Sequence, residues 1–391
     1  MPFEQFMERK HILFISSWYP NRNNPTHGIF NRYFAEACSK FHHISIIHVC
    51  SEENLKTDFE ITETQEDNIT TVIIYYRKIN SQLPLISSLL KHRRLISGFE
   101  QGCERILKLK GKPDLIQLNV VMPAGIGAHH LSTRYNIPLI VNENWSGYMP
   151  EDGNYKGFFL KHFTEKIIRH AKMIVPVSLA LKEAMLSHGL EGNYHIIPNV
   201  VNVSRFVPQA KSFSDTVTLL HISTLDDNPK NVSGIIRAFA NVKDHKVILN
   251  IIGEGPEAAQ HQQLVRDLKL GNRIHFLGRR MGQELVDEMN KCDALLMFSF
   301  YETFSLVMAE AFSCGKPVIS SKVGIAAGMP AELGITVEKG NEKALTEAVE
   351  KFIQNKSNYN PDVIRNYAIK HYSSEFVGAE FDRVYREVLG A

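Results

Sequence analysis

Glu302 and Glu310 stand eight residues apart in the run Phe300-Tyr-Glu-Thr-Phe-Ser-Leu-Val-Met-Ala-Glu-Ala-Phe-Ser-Cys-Gly-Lys-Pro-Val-Ile319. Two carboxylates can form an acid/base couple, hold a ligand, or cap and solvate a helix. On one continuous helix, eight residues rise about 12 Å with the side chains offset by roughly 80°. A glycosidase couple needs carboxyls about 5–9.5 Å apart across one bond, so the spacing argues against it. It suits Glu302 in a loop and Glu310 two turns inside the following helix, each holding one end of an extended ligand. A helix over 304–313 places the amides of Phe304, Ser305 and Leu306 in its first turn, where unpaired N–H groups attract an anion. Hydroxyl anchors at both ends with an anion site between them describe a nucleoside-diphosphate sugar. The plainer alternative is a capping Glu302 and a solvated Glu310, since acids in first turns are ordinary.

The elements that must position this pair are two flanking apolar strands, the second entered through Gly315 and Pro317. Ligands of open α/β sheets bind outside the carboxyl ends of such strands. Short β-branched runs alternate with amphipathic stretches along the chain, the pattern of parallel α/β architecture. Strands are expected at 11–16, 44–49, 71–76, 115–118, 139–142 and 173–177, and helices at 29–40, 93–110, 124–135, 157–171 and 179–188. Regular patterning stops over 197–208, and 210–215 is short and polar. A second series then gives strands at 217–222, 247–252, 273–277, 294–298, 318–320 and 335–337, with helices at 232–242, 256–270, 282–291, 304–313 and 342–354. At 391 residues two cores are the natural expectation. The predicted organisation is two Rossmann-like domains facing across a cleft. They are 1–203, joined by a C-terminal helix within 374–391, and 204–373.

Three further strand-to-helix loops carry chemistry. Ser16-Ser-Trp-Tyr-Pro-Asn-Arg-Asn-Asn-Pro-Thr-His-Gly-Ile-Phe30 is long and holds no GxGxxG, which argues against an NAD-type dinucleotide. Its Gly28, at a helix entry, allows close approach of backbone to a phosphate, or simply a turn. His221-Ile-Ser-Thr-Leu-Asp-Asp-Asn-Pro-Lys-Asn231 ends with Lys230, a point charge able to neutralise a diphosphate. Asp226 and Asp227 find no third ligand along the sequence, so no metal site is expected. Gly253-Glu-Gly-Pro-Glu257 is a tight turn whose Pro256 suits a first helical turn.

A net charge of +2 gives no global argument for nucleic acid. Residues 77–112 carry nine basic side chains against Glu100 and Glu104, with leucine and isoleucine interleaved over 83–90. That stretch could lie on an anionic membrane surface or be a solvated helix face. Five scattered cysteines without metal-ligand spacing point to reduced thiols. Residues 1–10 are charged and lack an apolar core of signal-peptide length. The expectation is a cytoplasmic protein, peripheral at the inner face of the membrane if 77–112 makes that contact.

With these pieces in place the chain resembles retaining nucleotide-sugar glycosyltransferases of family 4, which have the GT-B fold. The likeness rests on Glu302–Ile319 with its E-x7-E spacing, Gly253-Glu-Gly-Pro-Glu257, Phe276-Leu-Gly278 and Ile197-Pro-Asn-Val-Val-Asn-Val-Ser-Arg-Phe206. Ser17-Trp-Tyr-Pro20 with Gly28-Ile-Phe30 resembles one branch of that family. The resemblance implies a donor site in the second domain, with Glu310 on the ribose hydroxyls and Glu302 on a donor-sugar hydroxyl. Lys230 and the amides of Phe304, Ser305 and Leu306 would hold the diphosphate, with Thr224, Gly253, Gly255 and Gly28 lining the donor. It also implies no metal and no cofactor beyond the nucleotide-sugar substrate, a UDP-sugar first of all. The acceptor would be a glycan, a lipid-linked or a small-molecule hydroxyl, as in polysaccharide biosynthesis. Two positions depart from the family pattern. Thr224 stands near the place of an expected arginine, leaving the phosphate to Lys230, backbone, Arg279 or Arg280. Asn144 replaces a frequent histidine and cannot accept a proton at neutral pH, so the leaving phosphate or Glu143 would be the base. A nucleotide-sugar-binding protein without turnover and a nucleotide-sugar epimerase stay open as readings.

Overall fold

The computed structural model describes residues 8–78, 84–210 and 215–390. Part of the charged start of the chain, the head of the apolar run at Leu83 and the middle of the polar 210–215 stretch lie outside the described residues. Two compact units are present. One comprises Met1–Tyr148, Asn154–Val200 and Ser374–Ala391, the other Met149–Gly153 and Val201–Ser373.

The first unit runs β1 (His11–Ser16), α1 (Ile29–Cys38), β2 (His43–Glu52), β3 (Phe59–Glu66), β4 (Ile69–Arg77), α2 (Pro84–Lys110) and β5 (Leu115–Asn119). It continues with α3 (Gly125–Tyr135), β6 (Leu139–Glu143), α4 (Phe158–His170), β7 (Met173–Pro176) and α5 (Leu179–Ser187). The sheet order is β3-β4-β2-β1-β5-β6-β7. Every pairing is parallel except the β3–β4 hairpin. Strands β5 and β6 are buried at every residue, which is why they read as unbroken runs rather than as alternation. β3 has no counterpart among the expected strands because none of its residues is buried, so it carries no apolar pattern. The C-terminal helix Ser374–Leu389 packs on α1. Phe381 meets Phe34 edge-on at 5.5 Å, and the Tyr385 hydroxyl donates to Gln117 Oε1 at 2.5 Å. A Cβ on Gly378 would stand 2.5 Å from the Ala37 carbonyl, so that residue sets how closely the two helices approach.

Helix α2 is longer than the 93–110 span expected from sequence, and it buries Phe99, Cys103 and Ile106. The charge surplus of residues 77–112 is partly cancelled in three dimensions. Arg77 and Arg94 pair with Asp58 at 2.6 and 3.0 Å, Arg105 pairs with Glu63 at 2.7 Å, and Lys78 pairs with Glu53.

In the second unit the order is β8 (Val217–Ile222), α6 (Asp227–Lys230), α7 (Val232–Ala240), β9 (Val247–Ile252), α8 (Ala258–Asp267) and β10 (Ile274–Gly278). Then come α9 (Gln283–Lys291), β11 (Ala294–Met297), α10 (Leu306–Ser313), β12 (Val318–Ser321), β13 (Gly334–Val337), α11 (Glu342–Asn355) and α12 (Pro361–Tyr372). All six strands are parallel in the order β10-β9-β8-β11-β12-β13. The order reverses between β8 and β11, and the crevice outside their carboxyl ends is the natural ligand position. Val232, Ile235, Ile236 and Phe239 recur at helical spacing on α7 and bury it in one core with Phe298 and Phe352. Helix α12 is absent from the sequence expectation, although its start is well signed. Asn360 accepts from the amides of Asp362 and Val363, and Pro361 occupies the first turn. Helix α8 begins at Ala258, so Pro256 lies in the turn before it rather than in its first turn.

Candidate functional site

Two loops flank the reversal point of the second unit, one after β8 and one after β11. The first is set from below by His221, which is fully buried at the end of β8. Its Nδ1 lies 2.8 Å from the Leu296 carbonyl and must donate, so Nε2 accepts from the Ser223 hydroxyl at 2.7 Å. Burial pushes this imidazole down to about 4, so the ring is neutral and its tautomer fixed. Ser223, Thr224 and Leu225 then pass directly under the β9–α8 turn. A Cβ on Gly253 would lie 1.9 Å from the Ser223 carbonyl, and one on Gly255 would lie 2.4 Å from that of Leu225. The need for glycine at both positions therefore comes from chain passing against chain. Asp226 caps the single turn α6, accepting from the Asn228 amide at 3.1 Å, and that turn ends at Lys230.

Lys230 Nζ lies 2.6 Å from Glu302 Oε1, although 72 residues separate the two in sequence. The Ser299 hydroxyl donates to the same oxygen at 2.9 Å. The Phe300 amide donates to the Pro229 carbonyl at 2.9 Å and pins the two loops together. Glu302 is only 9% exposed. Gly324, at φ 54, covers it: a Cβ there would meet Glu302 Cβ at 3.0 Å and the Phe304 carbonyl at 2.5 Å.

Helix α10 corrects one expectation. It starts at Leu306, with Ser305 before it at φ 76, so Phe304 and Ser305 are not in its first turn. The first-turn amides are those of Leu306, Val307 and Met308, of which Met308 donates back to the Ser305 carbonyl at 3.2 Å. Those of Leu306 and Val307 have no intrahelical acceptor. Phe304 is buried instead, with its ring edge-on to Tyr372 at 5.4 Å. Glu310 consequently sits about one turn inside the helix rather than two. It is half-buried, and desolvation pushes its carboxyl up to about 8 against the opposing pull of Arg205. Ser299, Gly324 and Arg205 are not among the site residues expected from sequence. Only Arg205 carried a signal, as part of the segment ending at Phe206. The other candidate cations lie apart, Arg279 being exposed and Arg280 donating to the Arg279 carbonyl at 3.2 Å.

Asp227 does have partners that the linear sequence concealed. Parallel neighbours β8 and β9 bring Glu257 and His261 to it, and their potential ligand atoms lie within 4.8 Å of one another. These groups are already engaged. Asp227 Oδ1 accepts from the Ser233 amide at 2.8 Å and faces His261 Nε2 at 3.0 Å, while Glu257 accepts from the Asp227 amide. The bonds fasten α6 to α8.

The remaining candidates, Gly28 and Asn144, belong to the first unit. Gly28, at φ 61, precedes α1, and a Cβ there would stand 2.6 Å from the Trp18 backbone. Asn144 is 8% exposed, and its Nδ2 has no hydrogen-bond partner among the described residues. Glu143 is fully buried and fully occupied. Its Oε1 accepts the amides of Asn144 and Trp145 at 2.8 Å each, and Oε2 accepts the Val121 amide at 2.9 Å and the Tyr148 hydroxyl at 3.3 Å. Burial raises its pKa against those four hydrogen bonds. Such a clamp has no free face for a substrate proton, which removes Glu143 as a stand-in base.

Comparison with known proteins gives this geometry a context. The profile of glycosyl transferases group 1 matches residues 202–371, and that of glycosyltransferase family 4 matches residues 32–205. N-acetyl-alpha-D-glucosaminyl L-malate synthase of Bacillus anthracis is 28% identical over 211 residues, covering 50% of this chain and 53% of that protein. The match thus spans about half of that relative's length. Sucrose-phosphate synthase of Thermosynechococcus elongatus superposes with a TM-score of 0.75 at 18% identity, over 98% of this chain and 100% of that one. HepE of Anabaena, solved in complex with UDP, gives 0.71 at 16% identity over 96% and 100%. These likenesses identify the two Rossmann-like units as a GT-B fold. The chain belongs to glycosyltransferase family 4.

Proposed function

We propose that the protein is a retaining glycosyltransferase that moves a sugar from a nucleoside-diphosphate sugar, a UDP-sugar first of all, to a glycan, lipid-linked or small-molecule hydroxyl. The observation that carries this reading is the Lys230–Glu302 pair at the reversal point of the second sheet, beside the open amides of Leu306 and Val307. Lys230 and those amides supply positive potential where a diphosphate leaving group gathers charge. Glu302 accepts a hydrogen bond from a sugar hydroxyl, and Glu310 engages the ribose. The UDP held by the structurally similar HepE supports the choice of nucleotide.

In this reading the anomeric C–O bond breaks with its electron pair passing to the diphosphate. The acceptor oxygen bonds to the anomeric carbon on the same face, and its proton passes to the leaving phosphate oxygen. That assignment suits Asn144, which can orient a hydroxyl but not deprotonate it. No metal takes part in the proposed step. Among the described residues no helix is long and apolar enough to cross a membrane. The test is a screen of UDP-, GDP- and ADP-sugars for transfer or hydrolysis, with Glu302→Ala as control. Transfer that is lost in the variant supports the assignment, and full activity in Glu302→Ala would sink it.

A further inference from the structure

Two large aromatic side chains stand almost free of the first unit. Phe158 is 76% and Phe159 75% exposed, at the first turn of α4. Helix α4 buries Thr164, Ile167 and Ile168 on its inner side. Lys161, His162, Lys166, Arg169 and His170 are exposed on the outer side, and Lys156 is exposed just before the helix. Glu165 is the one acid in 156–170, and it pairs with Arg169 at 2.6 Å.

The aromatic edge continues inward. Phe158 stacks on His162 at 5.7 Å, His162 meets Phe163 at 5.7 Å, and Phe163 faces His92 at 6.2 Å. Phe163 leads into a surface groove of about 410 Å³ between α2, α3 and α4, floored by Ile96, Ile126 and Ile167. His129, His130, Arg134 and Lys166 form its rim. Glu100 offsets the Arg134 charge at 2.6 Å and also meets His130 Nε2 at 2.9 Å.

We infer that this face of α4 docks on an anionic lipid bilayer, with Phe158 and Phe159 entering the interface and the cations of α4 lying on the headgroups. An apolar tip flanked by Lys156 and Lys161, with Lys166 further along α4, matches interfacial binding, in which buried apolar area and attraction to anionic lipid add. The inference does not rest on the proposed transfer reaction, and it places the contact on α4 rather than on 77–112.

The experiment is sedimentation of the full chain with vesicles of phosphatidylcholine alone or mixed with phosphatidylglycerol. Expected is binding to the mixed vesicles that weakens at least about tenfold in Phe158→Ser/Phe159→Ser. Lys161→Gln and Lys166→Gln should each weaken it by about fivefold. Lys108→Gln/Lys110→Gln/Lys112→Gln, at and just beyond the C-terminal end of α2, should bind as the wild type does. Because the changed side chains are exposed, circular dichroism should be unaltered. As a second readout, Phe158→Trp should shift its fluorescence to the blue on mixed vesicles only. Equal binding to both vesicle types, no fluorescence shift, or loss confined to the α2 variant overturns the inference. It is equally overturned if the phenylalanine variant changes the mass of the protein in solution instead, which would make a second copy the occupant.

Discussion

The Lys230–Glu302 pair allows binding of the nucleotide to be separated from use of the sugar. Removing one partner of a fully buried pair costs about 3–5 kcal/mol, because the other charge is left uncompensated. Here the side chains retain 20% and 10% exposure, so water recovers part of that loss. Lys230→Ala is therefore expected to cost about 2–3 kcal/mol. In a domain of this size that lowers Tm by about 4–12 °C. Glu302→Gln leaves Lys230 without its carboxylate but keeps the shape and an amide oxygen that accepts from Lys230 and Ser299, so it should cost less, about 1–2 kcal/mol. Affinity for UDP should split the other way. A charge-assisted contact to phosphate contributes about 1.5–3 kcal/mol, so Lys230→Ala should raise the UDP Kd roughly 10- to 150-fold. Glu302→Gln frees Lys230 from its carboxylate, so its UDP Kd should be unchanged or lower, while transfer from a UDP-sugar collapses. Calorimetric titration of UDP into each variant, with transfer assayed alongside, checks both halves. The reasoning fails if Lys230→Ala binds UDP within about threefold of wild type, or if Glu302→Gln loses UDP as severely as Lys230→Ala.

Glu310 predicts a pH dependence. Its folded pKa of about 8 lies above the ordinary carboxyl value, so the native state holds the extra proton and stability falls as pH rises from about 4.5 to about 8. The loss is on the order of a few kcal/mol. Glu310→Gln should flatten that profile in denaturant titrations, and an unchanged slope would contradict the assignment. Gly253→Ala should destabilise the second unit by at least about 2 kcal/mol and weaken UDP binding, because its Cβ has no room beside the Ser223 carbonyl; differential scanning calorimetry reads the first effect. Glu143→Ala strands the buried amides of Val121 and Asn144 and the half-buried one of Trp145, and should cost about 3–5 kcal/mol. Glu143→Gln should recover part of that stability, which equal melting temperatures for the two variants would refute.

Much of the architecture was legible from residue order alone. β1, β5, β6 and β8 are buried on both faces, and burial of that kind writes itself as a local run of Ile, Val and Leu. Amphipathic spacing likewise located α4, α7 and α9 to within a residue or two. β3 was invisible for the same reason, since an exposed strand leaves no apolar period. Glu302 and Lys230 were recognisable as candidates because each lies in a loop at the carboxyl end of a strand. That they touch was decided by strand order, which sets β8 beside β11 and folds the two loops against each other. The same holds for Ser299 and Gly324 around Glu302, for the burial that raises the Glu310 carboxyl, and for the enclosure of Glu143 by four donors. Local pattern reports the period and burial of a segment. The partners of a polar side chain depend on which distant loops the crossovers bring together, and only the tertiary structure specifies that.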